Sequence, residues 1–111
     1  MSEEIKKYLF DILTSIQSIE DFFQGNYDFT NYLKNKMLRR AVEREFEIIG
    51  EAMNRIDKKD SSQFFSSKKQ IIGMRNRVIH GYDGIDNEII WGAIIKHLPI
   101  LKLEVKKYLG E

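Results

Sequence analysis

Apolar residues recur at intervals of three or four along most of the 111-residue chain. The clearest stripe lies within the first 24 residues and consists of Ile5, Leu9, Ile12, Ile16, Ile19 and Phe23. This spacing brings the apolar side chains to one face of an α-helix. The sequence has neither the apolar–polar alternation of a half-buried strand nor an internal repeat. The pattern therefore predicts an all-α protein.

Four helical segments joined by short polar connections are predicted. They span residues 2–24, residues 28 or 31 to 56, residues 67–80 and residues 86–109. Pro99 lies inside the last segment, and because it lacks a backbone donor it should kink that helix or divide it in two. We therefore expect residues 1–111 to form one domain, an up-and-down four-helix bundle with a proline-kinked or split last helix.

The composition argues against several classes of site. The chain has no cysteine, so neither disulfides nor thiolate zinc sites are available. Its two histidines are 17 positions apart and belong to no Glu-x-x-His pair, so we expect no metal site, and no cofactor is predicted. The net charge is +1, with 18 basic and 17 acidic residues, which argues against broad electrostatic capture of nucleic acid. Any contact with RNA must then come from a local patch.

The first residues carry mixed charge and lack the apolar core of a signal peptide. No run approaches the roughly 18 apolar residues that a membrane span requires. These features predict a cytoplasmic protein without membrane association.

Residues 74–82 concentrate the chemically versatile side chains. They include Arg75, Asn76, Arg77, His80 and Tyr82. Imidazole moves protons near neutral pH, and guanidinium holds phosphate oxygens in a planar fork, so this combination indicates metal-free phosphodiester chemistry. The alternative is structural: His80 would be a satisfied polar group near a helix end, and Gly81 the residue that ends the helix.

Spacing within this segment bears on how a site could form. Asn76 and His80 are four apart and share a helix face, so Asn76 could fix the orientation and tautomer of the imidazole. Arg75 and His80 are five apart and diverge by roughly 140° around an ideal helix. One helix alone is thus a poor pocket, whereas two copies at a two-fold axis could bring both pairs to one cleft. We therefore predict a homodimer.

Two basic groups flank this segment. The candidate RNA-binding residues are Arg40, Arg44, Lys68, Lys69 and Arg77. Such groups are either solvated helix faces or a grip on a phosphate backbone. Glu43, Glu47 and Glu51 share one face of the second segment and could pair with Arg75 or Arg77, or with basic residues of their own helix.

Three further side chains are predicted to be structural. His97 has no motif around it. Phe46 and Trp91 are expected in the core or in a dimer interface rather than as platforms on which bases stack.

The run from Arg75 through His80 to Tyr82 resembles the Arg-x4-His-x-Tyr signature of HEPN-domain proteins, and more narrowly that of the HepT-like toxins. The resemblance extends to residues 40–52, which are similar to the family's second long helix, and to residues 72–76, which approach the motif. Residues 86–91 and 98–101 look like its last helix and proline-kinked tail.

The resemblance implies a toxin of a toxin–antitoxin system that cleaves RNA without a metal. Arg75 would hold the scissile phosphate, His80 would move the proton, and Asn76 would orient His80. Cleavage at a ribose 2′-hydroxyl would leave a cyclic phosphate. The resemblance also implies a partner, a minimal nucleotidyltransferase (MNT-type) antitoxin that transfers AMP to the motif tyrosine, here Tyr82.

A different class of function stays open. The chain could be a non-catalytic helical dimer that binds nucleotide and docks the nucleotidyltransferase. Incubation of the purified protein with total RNA and EDTA separates the two, because only the ribonuclease produces discrete fragments.

Overall fold

The structure, a computed structural model, describes residues 1–79 and 86–111, with the backbone alone for residues 77–79. Six α-helices account for most of these residues. They are α1 (Glu3–Phe23), α2 (Phe29–Lys34), α3 (Lys36–Lys59), α4 (Lys68–Ile79), α5 (Asn87–Gly92) and α6 (Leu98–Tyr108), and a π-helical turn (Ala93–His97) joins the last two. The predicted all-α helical bundle is confirmed.

Helix α1 begins and ends close to the predicted bounds because the sequence carries strong signals at both ends. The Ser2 hydroxyl accepts a hydrogen bond from the Ile5 amide at 3.1 Å, and two acidic residues occupy the first turn. At the other end, Gln24 and Gly25 have φ angles of 50° and 80°, so the chain leaves the helix through the left-handed region.

The second predicted segment is two helices rather than one, and this part of the prediction is wrong. Asn35 separates α2 from α3 with an extended backbone (φ −102°, ψ 93°). Its amide donates to the Asn31 carbonyl at 2.9 Å, while its side-chain oxygen accepts from the Leu38 amide at 3.0 Å. One asparagine therefore ends one helix and caps the next.

The last predicted segment is split as expected, and the split precedes the proline. Residues Ala93–His97 form the π-helical turn, and Pro99 lies in the first turn of α6. Proline has no amide hydrogen to donate to an earlier carbonyl, so it is best tolerated near the start of a helix. The wider π-helical turn accommodates the missing hydrogen bond, and the chain otherwise stays helical from α5 to α6.

Helix α3 is central and packs against both α1 and α4, while α6 also packs against α1. Fully buried apolar residues from all four form the core, among them Leu9, Ile12 and Ile16 of α1, Val42, Phe46, Ile49 and Met53 of α3, Ile71 of α4 and Leu101 and Val105 of α6. The burial of Phe46 agrees with its predicted place in the core. This arrangement fixes α4, which carries the motif arginine, against α3.

Five rings form an aromatic cluster where the end of α1, α2 and α5 meet: Phe23, Tyr27, Phe29, Tyr32 and Trp91. The half-buried Trp91 lies at its centre, with ring centroids 5.3 Å from Phe29, 5.4 Å from Tyr32 and 5.6 Å from Phe23. Trp91 thus packs inside its own chain, one of the two roles predicted for it.

Over residues 1–79 and 86–111, no helix has both the length and the apolar character needed to cross a bilayer.

Candidate active site

Gly50 of α3 determines where Arg75 of α4 lies. A Cβ atom built on Gly50 would lie 2.3 Å from the Arg75 Cβ and 2.9 Å from its Cγ, far inside normal contact. The absence of a side chain at Gly50 therefore lets α4 approach α3 at this turn. Sequence reasoning missed this role, and the available signal was an isolated glycine within a helical pattern.

The Arg75 guanidinium is held by polar contacts on two sides. Nη2 donates to Glu51 Oε2, and Nη1 donates to the side-chain oxygen of Asn76 at 2.9 Å. The side chain is 23% exposed, and its Nε is buried without a hydrogen-bond partner among the residues that the structure describes. Arg75 thus has a defined orientation and retains unused donors.

Glu51 links two guanidinium groups. Its Oε1 accepts from Arg55 Nε at 2.9 Å, and its Oε2 accepts from Arg75. The hydrogen bond from Arg55, together with the positive charge of Arg75, holds the pKa of Glu51 below its usual value. Glu51 is therefore a carboxylate at neutral pH. The sequence predicted that the acidic face of α3 could pair either with Arg75 or with basic residues of its own helix. Glu51 pairs with both Arg75 and Arg55.

A cleft of about 540 Å³ opens between α1, α3 and α4 beside this ion-paired group. Its charged lining residues are Lys7, Arg44, Arg55 and Arg75 on the basic side and Asp11, Glu47 and Glu51 on the acidic side. Lys7 pairs with Asp11 at 3.0 Å, and Arg44 pairs with Glu47 at 3.3 Å. A ligand in this cleft would meet alternating charges rather than a uniformly basic wall.

The predicted RNA-binding residues do not all share this cleft. Arg44 lines it together with Arg75. Arg40 pairs with Glu43 at 3.0 Å, and Lys68 pairs with Asp57 at 2.7 Å. These pairs occupy the basic groups with carboxylates of the same chain, and contact with RNA stays a prediction for them.

Lys69 lies in different surroundings. It borders a second cavity of about 270 Å³ between α4 and the segment that leads into α6, and His97 lines the same cavity. His97 Nδ1 lies 2.9 Å from Oγ of the buried Ser67, which joins the π-helical turn to the start of α4. This contact fits the structural role predicted for His97.

Two motif residues, His80 and Tyr82, lie outside the described residues, as does the side chain of Arg77. The predicted contact from Asn76 to His80 therefore stays a prediction. In the structure, the Asn76 carboxamide oxygen accepts from Arg75 instead, which leaves its NH₂ group as a donor for another partner.

Comparison with known proteins gives a family and several relatives. The family model described as "Ribonuclease HepT-like" matches residues 12–108. The Methanocaldococcus jannaschii protein named "Putative RNase MJ1380" is 36% identical over 104 residues, which cover 93% of this chain and 94% of that protein. "Probable ribonuclease HepT" of Thermococcus cleftensis is 33% identical over 109 residues, 96% of this chain and 97% of that protein. No solved structure gives a significant match.

Proposed function

The chain belongs to the HepT-like family, and from this premise we propose that it is a metal-independent RNA endonuclease, the toxin component of a toxin–antitoxin system. The observation that carries the proposal is the placement of Arg75. Its guanidinium is fixed by Glu51 and Asn76 at the edge of a cleft, and the described residues take only two of its five donors, which leaves others for a phosphate.

The proposed reaction is an internal transfer at one phosphodiester. His80 takes the proton of a ribose 2′-hydroxyl, and that oxygen attacks the neighbouring phosphorus atom. The bond to the 5′-oxygen breaks, this oxygen takes up a proton from the imidazolium or from water, and the products are a 2′,3′-cyclic phosphate and a 5′-hydroxyl. Arg75 donates to the phosphate oxygens as negative charge builds up on them. Asn76 keeps the imidazole in the required tautomer.

A homodimer completes the proposed site. On an ideal helix, positions five apart such as 75 and 80 would diverge, so a second copy would supply the opposite wall of the RNA cleft. Arg40, Arg44, Lys68, Lys69 and Arg77 would then contact phosphates on either side of the cleaved bond.

Control of the proposed toxin would act through Tyr82. An MNT-type nucleotidyltransferase would transfer AMP to its hydroxyl, two residues from His80. The added phosphate would place negative charge and bulk beside the arginines and exclude RNA. Tyr82→Phe should stay toxic while the transferase no longer neutralises it, and mass spectrometry after co-expression should find added AMP on the wild type alone. Neutralisation of Tyr82→Phe would contradict this assignment.

The ribonuclease proposal is tested with purified protein, total RNA and EDTA. The wild type should produce discrete fragments, and loss of the proton-transfer group in His80→Ala should slow cleavage by roughly 10²–10⁴-fold. Arg75→Ala should be comparably impaired, and circular dichroism should show both variants to be folded. Full activity in a folded variant removes that residue from the mechanism. A wild type that cuts nothing but accepts AMP on Tyr82 would favour the non-catalytic dimer instead.

A further inference from the structure

Glu51 lies outside the Arg-x4-His-x-Tyr run, yet it makes the contact that fixes the motif arginine. We propose that Glu51 is a positioning residue for Arg75 in RNA cleavage. This inference rests on the proposed ribonuclease function, in which Arg75 holds the scissile phosphate.

A positioning role for Glu51 requires that Arg75 keep N–H donors for a phosphate. A guanidinium carries five N–H donors, of which Glu51 and Asn76 each take one. Three are not taken by described residues: the Nε–H, which is buried, and one N–H on each of Nη1 and Nη2, which are the two that a phosphate in the cleft would meet. Glu51 therefore restrains Arg75 without using up the donors that a bidentate phosphate contact needs.

The net positive charge around Arg75 must also survive its pairing with Glu51. A carboxylate paired with one arginine would cancel the charge that attracts a phosphate. Here the same carboxylate also accepts from Arg55, so the group Arg55–Glu51–Arg75 keeps a net charge of +1. Arg55 thus acts as a counter-charge that lets Glu51 hold Arg75 while the group still attracts an anion.

The Arg75 side chain must further be rigidly held and accessible to a ligand. Gly50 and Glu51 are neighbours, so the turn that admits the Arg75 Cβ and Cγ atoms also supplies the carboxylate. The Glu51 side chain remains 35% exposed and that of Arg75 23%, which leaves both within reach of a ligand in the adjoining cleft. Without the carboxylate, the long Arg75 side chain would sample several rotamers, and a small misplacement of a catalytic group slows a reaction strongly.

Glu51→Gln tests the inference because it keeps the shape and one oxygen acceptor but removes the charge. We expect kcat to fall by roughly ten- to a hundredfold with KM changed by less than about threefold, since the loss of orientation acts mainly on the transition state. The matched control is Glu20→Gln, whose carboxylate is also 35% exposed and joins two helices through Lys102 at 2.9 Å. Glu20→Gln should cleave like the wild type, and both variants should lose similar thermal stability.

Two further readouts separate positioning from general support of the fold. In an Arg75→Ala background, Glu51→Gln should cause no additional loss of kcat, because its effect acts through Arg75. In the intact protein, the ¹⁵N-labelled Arg75 Nε–H signal should be sharp in the wild type and in Glu20→Gln and broadened in Glu51→Gln.

The outcomes distinguish the inference from the function on which it rests. If the wild type cleaves RNA, Arg75→Ala does not, and Glu51→Gln matches Glu20→Gln in kcat, the positioning role is wrong and the ribonuclease function stands. If the wild type cleaves no RNA, the ribonuclease function fails and this role fails with it, whatever the nitrogen signal shows.

Discussion

Two packed regions of this protein hold its helices together in opposite ways. At the Gly50–Arg75 contact, α4 lies against α3 because one side chain is absent, and Glu51 together with Asn76 fixes the guanidinium. At the aromatic cluster, five rings from three helices and the connection between α1 and α2 share the packing around Trp91. The first region depends on one close approach, whereas the second distributes its contacts over a large apolar area.

The difference separates geometry from stability. A change at the Gly50–Arg75 contact should displace a side chain that the proposed chemistry needs, even where the fold survives. A change in the aromatic cluster should lower the free energy of unfolding and leave the chemistry of the remaining folded molecules nearly intact.

The largest effect on activity in this comparison is expected for Gly50→Ala. The new methyl group would overlap the Arg75 Cβ, so α4 must shift or α3 must bend. We expect a loss of about 1–3 kcal/mol of stability from overpacking and a fall in RNA cleavage of roughly 10²-fold. Urea unfolding and cleavage rates per folded molecule measure the two effects.

The matched control for this change is Gly73→Ala in α4, where an added Cβ meets nothing within 4 Å among the described residues. It should leave cleavage unchanged and raise stability by about 0.5–1 kcal/mol, because alanine is the better helix former. Equal activity of the two alanine variants would show that the close approach at Gly50 does not position Arg75.

The aromatic cluster is probed by Trp91→Ala, which removes the ring that contacts four others. Because Trp91 is only half-buried, we expect a loss of about 2–4 kcal/mol in urea unfolding. Cleavage per folded molecule should stay within about threefold of the wild type, and Trp91→Phe should recover much of the stability. A hundredfold fall in that rate with the fold intact would make the cluster part of the site.

A smaller effect is expected for Tyr32→Phe in the same cluster. Tyr32 is fully buried, its hydroxyl has no partner among the described residues, and burial, assisted by Glu43, raises its pKa well above the usual 10.0. The unfolded chain therefore loses this proton first, so the wild type should lose stability as pH rises above about 10, and Tyr32→Phe should lose less. At pH 7 the two should agree within about 1 kcal/mol. A larger loss at pH 7 would show that the hydroxyl has a partner.

Much of the fold was predictable because local signals agree with the packing. The stripe from Ile5 to Phe23 and the Ser2 cap give the bounds of α1 within about one residue. The break at Asn35 was missed because asparagine interrupts a helical pattern without the strong signal of glycine or proline. Pro99 indicated that the last helix would be split, but not that a π-helical turn would precede it.

The ion pairing around the candidate site was predictable in its residue types and less so in its geometry. The spacing of Glu47 and Glu51 indicated partners on their own helix, and Arg44 and Arg55 are those partners. The second bond from Glu51, to Arg75, was only one of two options, because it depends on how α4 approaches α3. The role of Gly50 was missed for the same reason, because it depends on the contact between α3 and α4 and not on the pattern of α3 alone.

In the proposed mechanism, Arg75 acts on the reacting phosphate rather than through its charge alone. The decisive test compares Arg75→Ala with Arg55→Ala. Each variant removes one of the two guanidinium groups that pair with Glu51 in the same cleft, so the loss of positive charge is equal. In EDTA with a single-site RNA, Arg75→Ala should lose roughly 10²–10³-fold or more in the single-turnover rate and Arg55→Ala less than about tenfold. Equal losses in both folded variants would contradict the claim.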